Sequence, residues 1–179
     1  MIDNLLLARI DDRLIHGQVM TAWMKVKPAK RIIVIDDKVA NDSFMIDVIQ
    51  LAAPTGVKVD VLSCEKAIEN ISLGLNVPTI LLAKGPDTYK KLIDAGLDIS
   101  EINVGGMGMT SERRTLYKNI AASDEERNIF KEFLDKNKVL NQKDLRDRFP
   151  KLYSRVSHKG FMESLVFSNP LRTHVDKNL

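Results

Sequence analysis

Arg31-Ile-Ile-Val-Ile-Asp-Asp-Lys-Val-Ala-Asn-Asp-Ser-Phe-Met-Ile-Asp-Val-Ile-Gln-Leu-Ala-Ala-Pro-Thr-Gly-Val-Lys-Val-Asp-Val-Leu62 contains a strand, a helix and a second strand in 32 residues. Arg31–Asp36 is β-branched and apolar without alternation, the pattern of a strand buried on both faces. Asn41 or Asp42 can cap the next segment, where Phe44, Met45, Val48, Ile49 and Ala52 fall on one helical stripe. Pro54-Thr-Gly56 stops that helix, and Val57–Leu62 is again a strand. Two buried strands joined by a helix make a βαβ unit, which implies a parallel pair and an α/β fold.

The same rhythm extends both ways. Upstream, Leu5–Ala8 reads as a buried strand, and residues 16–25 as a helix with Val19, Ala22, Trp23 and Val26 at helical spacing. Downstream, Ser63 caps a short helix and Pro78–Ala83 is a strand. Asp87–Ala95 is a helix ended by Gly96, and Glu101–Val104 is a strand running into Gly105-Gly106. Ser123-Asp-Glu-Glu126 is a capping box that opens a helix over 124–136. The expected architecture is a mostly parallel central sheet with helices on both faces.

Composition narrows the class. The 179 residues are 44% hydrophobic and 28% charged, as in an ordinary globular domain. No apolar run approaches the length of a membrane span, and Met1–Arg13 does not read as a signal peptide. The single cysteine, Cys64, makes neither an internal disulfide nor a thiolate metal site, which favours a reducing, cytoplasmic setting. The net charge of +3 is unevenly placed: residues 1–137 hold 18 Lys+Arg against 20 Asp+Glu, whereas 138–179 hold 9 against 4. With aromatics at only 6%, a nucleic-acid reading would rest on the tail alone, and no nucleic-acid partner is expected. His16, His158 and His174 lie far apart and form no ligand motif, so no metal or other cofactor is expected. No G-x-S-x-G elbow supports a serine hydrolase.

In parallel sheets chemistry gathers at the C-terminal ends of the strands. Arg9-Ile-Asp-Asp-Arg-Leu-Ile-His-Gly-Gln18 follows the first strand and brings two carboxylates, two guanidiniums and a histidine together. A neutral imidazole nitrogen is a competent phosphoryl acceptor. An adjacent arginine can hold the phosphoryl oxygens, and a carboxylate can orient the other ring nitrogen. Gly17 lets helix N-terminal amides approach an anion. Asp11 and Asp12 can equally cap the helix or pair with Arg9 and Arg13. Asn103-Val-Gly-Gly-Met-Gly-Met109 offers Gly105 and Gly106 as close-approach positions, though a plain tight turn fits as well. Ala83-Lys-Gly-Pro-Asp87 places Lys84 at a third loop, and Asp36-Asp37 ends the second strand as a rim element or a solvated turn.

These strings resemble the IIB component of the mannose/fructose/sorbose family of the bacterial sugar phosphotransferase system. The likeness is carried by Ala8–Val19, the Arg31–Asp37 strand, Ala53–Val59, Ala95–Ile99 leading into Asn103–Met107, and Ser123–Glu126. It implies a cytoplasmic phosphoryl relay, associated with the membrane permease, that acts as a protein-Nπ-phosphohistidine–sugar phosphotransferase. A IIA partner donates to His16, the group rests on Nδ1, and it passes to a sugar of the mannose, fructose, sorbose or N-acetylgalactosamine class bound by IIC/IID. Arg13 matches the arginine that holds the phosphoryl group, Asp11 an acid near the histidine, and the loops at Gly105-Gly106 and Lys84 the neighbouring walls. A non-catalytic anion-binding or regulatory module on this fold is the alternative.

The resemblance covers residues 1–137. Family members follow the last helix with a short edge strand, but residues 138–179 are basic, contain Pro150 and Pro170, and show no convincing alternation. The expectation is an atypical C-terminal extension, partly helical near 141–149 or disordered, or a product of an altered reading frame that packs opportunistically. The sheet edge would then be unfinished, inviting homo-oligomers or a partner.

Overall fold

The structure, a computed structural model, describes residues 2–117, 120–136 and 139–140. In chain order the elements are β1 (Leu5–Ile10), α1 (Gly17–Val26), β2 (Arg31–Ile35), a 3-10 turn (Val39–Asn41), α2 (Ser43–Leu51), β3 (Lys58–Leu62), α3 (Cys64–Ser72), β4 (Thr79–Ala83), α4 (Pro86–Asp94), β5 (Glu101–Val104), β6 (Arg114–Tyr117), β7 (Ile120–Ala122), α5 (Asp124–Asp135) and β8 (Val139–Leu140). Among the described residues, six strands form one sheet in the order β3-β2-β4-β1-β5-β8, parallel at every pairing.

The β-branched run of β2 lies at the heart of this sheet, with Ile32, Ile33, Val34 and Ile35 wholly buried. Their alternation splits the core in two. Ile33 and Ile35, with Ala8, Ile10, Leu81 and Ala83, pack against Ala67 and Ile71 of α3, Tyr89 and Leu92 of α4, and Phe130 and Phe133 of α5. Ile32 and Val34, with Val59, Ile80 and Leu82, pack against Met20 of α1 and Ile49 of α2. Helices therefore cover both faces, as expected. Strand order explains the division: the connections through α1 and α2 step one way across the sheet, and those through α3, α4 and α5 step back. Right-handed crossovers must then place the two groups on opposite faces.

The local signals operate as the sequence implies. Asp42 caps α2 through the Met45 amide, and Ser63 caps α3 through the Lys66 amide. Gly96, at φ +92°, follows the α4 terminus in a conformation that β-carbon-bearing residues rarely adopt. Both halves of the Ser123–Glu126 capping box are formed. On α4 the fully buried Tyr89 reaches under the sheet, where its hydroxyl lies 3.0 Å from both Arg9 O and Leu81 O. Tyr89→Phe leaves packing intact and removes only that donor. It should cost about 1–2 kcal/mol in denaturant unfolding, and an unchanged midpoint would show the bond to be idle.

Three features depart from the sequence reading. The apolar stripe of α2 is largely solvent-facing: Ile49 is buried, but Phe44 is 71% exposed, and Met45, Val48 and Ala52 are also exposed. The helix joins β2 to β3, the edge strand of the sheet, and beyond that edge most of the stripe is left uncovered. Second, an antiparallel hairpin of β6 and β7 occupies a stretch where no element was expected. Third, the sheet edge beyond β5 is extended: Val139 and Leu140 pair in parallel with Glu101 and Ile102. Two residues are too few to show alternation in a sequence. The expected helix near 141–149 and the rest of the extension lie outside the described residues.

Candidate functional site

β1 and β5 are neighbours, with Arg9 opposite Asn103 and Ile10 opposite Val104, and their following connections leave in opposite directions. Such a switch point opens a crevice beyond the strand ends. The loop after β1 and the glycine loop after β5 meet there, joined by Asp12 N–H to Gly106 O at 3.0 Å and Gly105 N–H to Ile10 O at 2.7 Å.

Asp11 is the centre of the crevice. It is fully buried, and its carboxylate accepts from Arg9 Nη2 at 2.9 Å, from Arg13 Nε at 3.0 Å and from Arg13 Nη2 at 3.1 Å. Burial pushes the Asp11 carboxyl up, but the hydrogen bonds of Arg13 and the charges of Arg9 and Arg13 outweigh it and hold the group below the usual carboxylate range. Arg13 is pushed up chiefly by its hydrogen bonds to Asp11, and its side chain is 52% exposed, so it presents a fixed guanidinium to solvent. Of the uses read for Asp11, the structure shows pairing with Arg9 and Arg13. It gives no contact between Asp11 and the His16 ring nitrogens.

His16 stands at the N-cap of α1, and Gly17 opens the helix. Its Nδ1 lies 2.8 Å from Leu14 O. A carbonyl only accepts, so Nδ1 carries a proton there and the free lone pair of the neutral ring is on Nε2. Nε2 is buried without a partner, as is Trp23 Nε1. Orphaned buried polar atoms are uncommon in native proteins, and both of these lie beside the crevice loop. The loop is also strained: Leu14 is buried and holds φ +54°, which costs a non-glycine residue about 1–2 kcal/mol.

The glycines serve the arginines. A β-carbon on Gly105 would fall inside van der Waals contact of the Arg9 guanidinium and 2.8 Å from Asp11 Oδ2; one on Gly106 would lie 3.0 Å from Arg13 Nη2. Arg13 is half in solvent and can yield, whereas Arg9 cannot, being also bonded to Asn103 Oδ1 and stacked 5.3 Å over the Trp23 ring centroid. Gly105→Ala should therefore cost about 2–3 kcal/mol and Gly106→Ala clearly less. Equal thermal shifts for the two would contradict this account.

Lys84 is set apart. It caps the end of β4 but pairs with Asp36 at 3.0 Å, and it does not line the cleft that Arg13 borders. That cleft, of about 230 Å³, runs between Asp12-Arg13 and Met107, Met109, Thr115 and Ala121. Asp12 closes one side by accepting from Gly108 N–H at 2.5 Å and facing Arg113, which grips Glu126 through Nε and Nη2. Sequence reading passed over Arg113, Asn103 and Trp23, and treated Arg9 only as a pairing partner. The signal for Arg9 was available: it is the one charge inside the apolar run Leu5–Ile10. No group of side chains able to hold a metal ion occurs among the described residues.

The model of the PTS system sorbose subfamily IIB component matches residues 5–159. The fructose-specific EIIB component of Bacillus subtilis is 37% identical over 144 residues, covering 79% of this chain and 88% of that protein. The mannose-specific EIIAB component of Escherichia coli is 35% identical over 127 residues, covering 70% of this chain and 39% of that longer protein. Among solved structures, the IIBSor domain of the Klebsiella pneumoniae sorbose permease superposes with a TM-score of 0.68 at 35% identity, covering 76% of this chain and 84% of that one. Fold, crevice and likeness converge: the chain belongs to the sorbose subfamily of phosphotransferase-system IIB components, phosphotransferases that relay phosphoryl groups in sugar uptake.

Proposed function

We propose that His16 is the residue that carries the phosphoryl group. The observation behind this reading is the placement of His16 at the N-terminus of α1 in the same short loop as Arg13, an exposed guanidinium locked by a buried carboxylate. A phosphohistidine on a IIA partner donates: the proton that rests on His16 Nδ1 first passes through solvent to Nε2, the freed Nδ1 lone pair attacks phosphorus, and the new N–P bond forms as the donor's N–P bond breaks, its electron pair returning to the donor nitrogen. Catalysis consists of positioning and charge neutralisation. Arg13 meets the phosphoryl oxygens, and the amides that begin at Gly17 add the helix N-terminal field. The glycine loop at Gly105-Gly106 shapes the wall by seating Arg9 and Arg13. The Asp36 bond of Lys84 leaves it a rim cation.

The group then passes to a sugar of the mannose, fructose, sorbose or N-acetylgalactosamine class held by a IIC/IID permease, at the cytoplasmic face of the membrane. The IIA donor is supported by the E. coli relative whose name joins A and B in one component. A peripheral location agrees with the finding that no helix among the described residues is long and apolar enough to cross a membrane.

The acceptor nitrogen we assign is Nδ1, as in a protein-Nπ-phosphohistidine. In the resting geometry Nδ1 is held by Leu14 O, so the ring must turn off that carbonyl before transfer. The test is to charge the protein from labelled phosphoenolpyruvate through the upstream relay and a IIA donor. Acid-labile label should map to the peptide holding His16, with phosphorus–nitrogen couplings to Nδ1. Label on a peptide lacking His16 would overturn the reading, and couplings to Nε2 would overturn the Nδ1 assignment alone.

A further inference from the structure

We infer that Arg9 is a positioning residue of the phosphoryl site: it shares the Asp11 carboxylate with Arg13, so that Arg13 keeps positive charge to offer the group on His16. The inference rests on the His16 reading above and adds a residue that the reading does not use.

Arg9 does not meet the phosphoryl group itself. It is 7% exposed, with its guanidinium enclosed by the Trp23 ring, Asn103 Oδ1, the Gly105 backbone and Asp11. Among the described residues its one carboxylate partner is Asp11, at 2.9 Å. Arg13 leans on the same carboxylate through Nε, Nη2 and its backbone N–H, while half its side chain faces solvent.

A single carboxylate with Arg13 alone would form a neutral pair with little attraction left for a dianion. With Arg9 on Oδ2 the trio carries one net positive charge, and its exposed end is the Arg13 guanidinium. The neighbouring acid, Asp12, also acts on Arg13 through its charge, but it accepts from Gly108 N–H and faces Arg113, which offsets that charge. At these short distances, with Arg9 and Asp11 buried, coupling between those two charges is strong and Arg13 shares in it through its inner edge.

A purely structural Arg9 would also stabilise the buried acid, so stability alone does not separate the two roles. Charge reversal of the defect does. If Arg9 acts by sharing Asp11, then neutralising Asp11 in the Arg9→Met background frees Arg13 again, and Asn at position 11 still offers an oxygen to Arg13 Nε. If Arg9 only fills space, the second change makes matters worse.

The experiment measures kcat and KM for phosphoryl uptake from a phosphorylated IIA donor by wild type, Arg9→Met, Asp11→Asn, the double variant and a His16→Ala control, with thermal unfolding of each. Arg9→Met should lower kcat roughly tenfold or more with less than about a threefold change in KM. The double variant should recover at least about fivefold of that loss, a non-additivity that only coupled sites show. Arg9→Gln, which keeps hydrogen-bonding capacity without charge, carries the same expectations if Arg9→Met does not fold. A double variant no faster than the Arg9 single variant, or a single variant with wild-type kcat, overturns the inference. Uptake by His16→Ala would instead overturn the underlying reading, so the two failures are distinct.

Discussion

Protein carrying His16→Ser should take up no phosphoryl group and yet unfold at a slightly higher temperature than wild type. The N-cap position of α1 has φ −147° and ψ 120°, the extended geometry in which a short hydroxyl side chain reaches the first free amides of a helix. Histidine makes no side-chain capping bond there. It contributes the Nδ1–Leu14 O bond, worth about 1 kcal/mol, and buries Nε2 without a partner, which costs a similar amount. Those two effects offset each other. A serine cap adds about 0.5–1 kcal/mol on top. His16→Ala lacks the cap and should sit near or below wild type in stability while being equally inactive. Circular-dichroism melts beside labelling from the phosphorylated donor check both halves. Label on either variant would place the acceptor elsewhere, and a serine variant less stable than the alanine one would refute the capping argument. A residue that is locally suboptimal and kept at a helix start is what a chemical duty at His16 predicts.

The elements that the sequence made legible share one property: each is specified by residues inside it. β2 announces itself by Ile32–Ile35, α5 by its capping box, and the end of α4 by Gly96. The strand order comes from pairings between distant segments; given that order, crossover handedness assigns each helix its face, and the switch between β1 and β5 opens the crevice. What escaped depends on partners far along the chain. The β6–β7 hairpin is short and draws its stability from contacts such as Ala121 N–H to Met107 O at 2.7 Å, which no local pattern encodes. The exposed face of α2 escaped for the opposite reason: its periodicity is right, but periodicity does not say where the sheet ends. Within the site, Asp11 and Arg13 were legible as chemistry beside His16. The role of Gly105 was visible only as permissiveness, because the group that needs the space, Arg9, lies 96 positions earlier in the chain.

The basic pI near 8.9 is a property of the final 42 residues and says little about the crevice, where charge is arranged pairwise. Arg9, Asp11 and Arg13 form one set; Asp12, Arg113 and Glu126 form a second that ties the β1 loop to the start of α5. Lys84 and Asp36 form a third across the ends of β4 and β2. A relay must hold its phosphoryl group and then give it up. A single exposed guanidinium backed by amides suits that task better than a deep nest of cations, since each charge-assisted bond is worth about 1.5–3 kcal/mol and several would trap the group.

Asp11→Ala should be the most damaging single substitution in the crevice, lowering unfolding stability by about 3–5 kcal/mol and suppressing transfer even where the protein remains folded. The carboxylate is wholly buried and, among the described residues, is the only anion that contacts Arg9, whose own guanidinium is nearly inaccessible to water. Removing it leaves a buried cation uncompensated and places a second one, Arg13, close by without the acceptor that separated their charges. Burial already draws the Arg9 guanidinium below its ordinary range, against the pull of Asp11, so the loss falls on a group with no reserve of solvation. The dependence on pH fixes the sign. Asp11 titrates lower in the folded protein than its unfolded value near 3.8, so its contribution is complete above that value and fades as pH falls through the folded one. Wild type and Asp11→Ala should thus differ fully at neutral pH and converge in strong acid. Urea unfolding at pH 7 and near pH 3 measures the gap directly. A gap that stays constant with pH would mean the loss is one of packing, and that the carboxylate charge does not hold the two arginines in place.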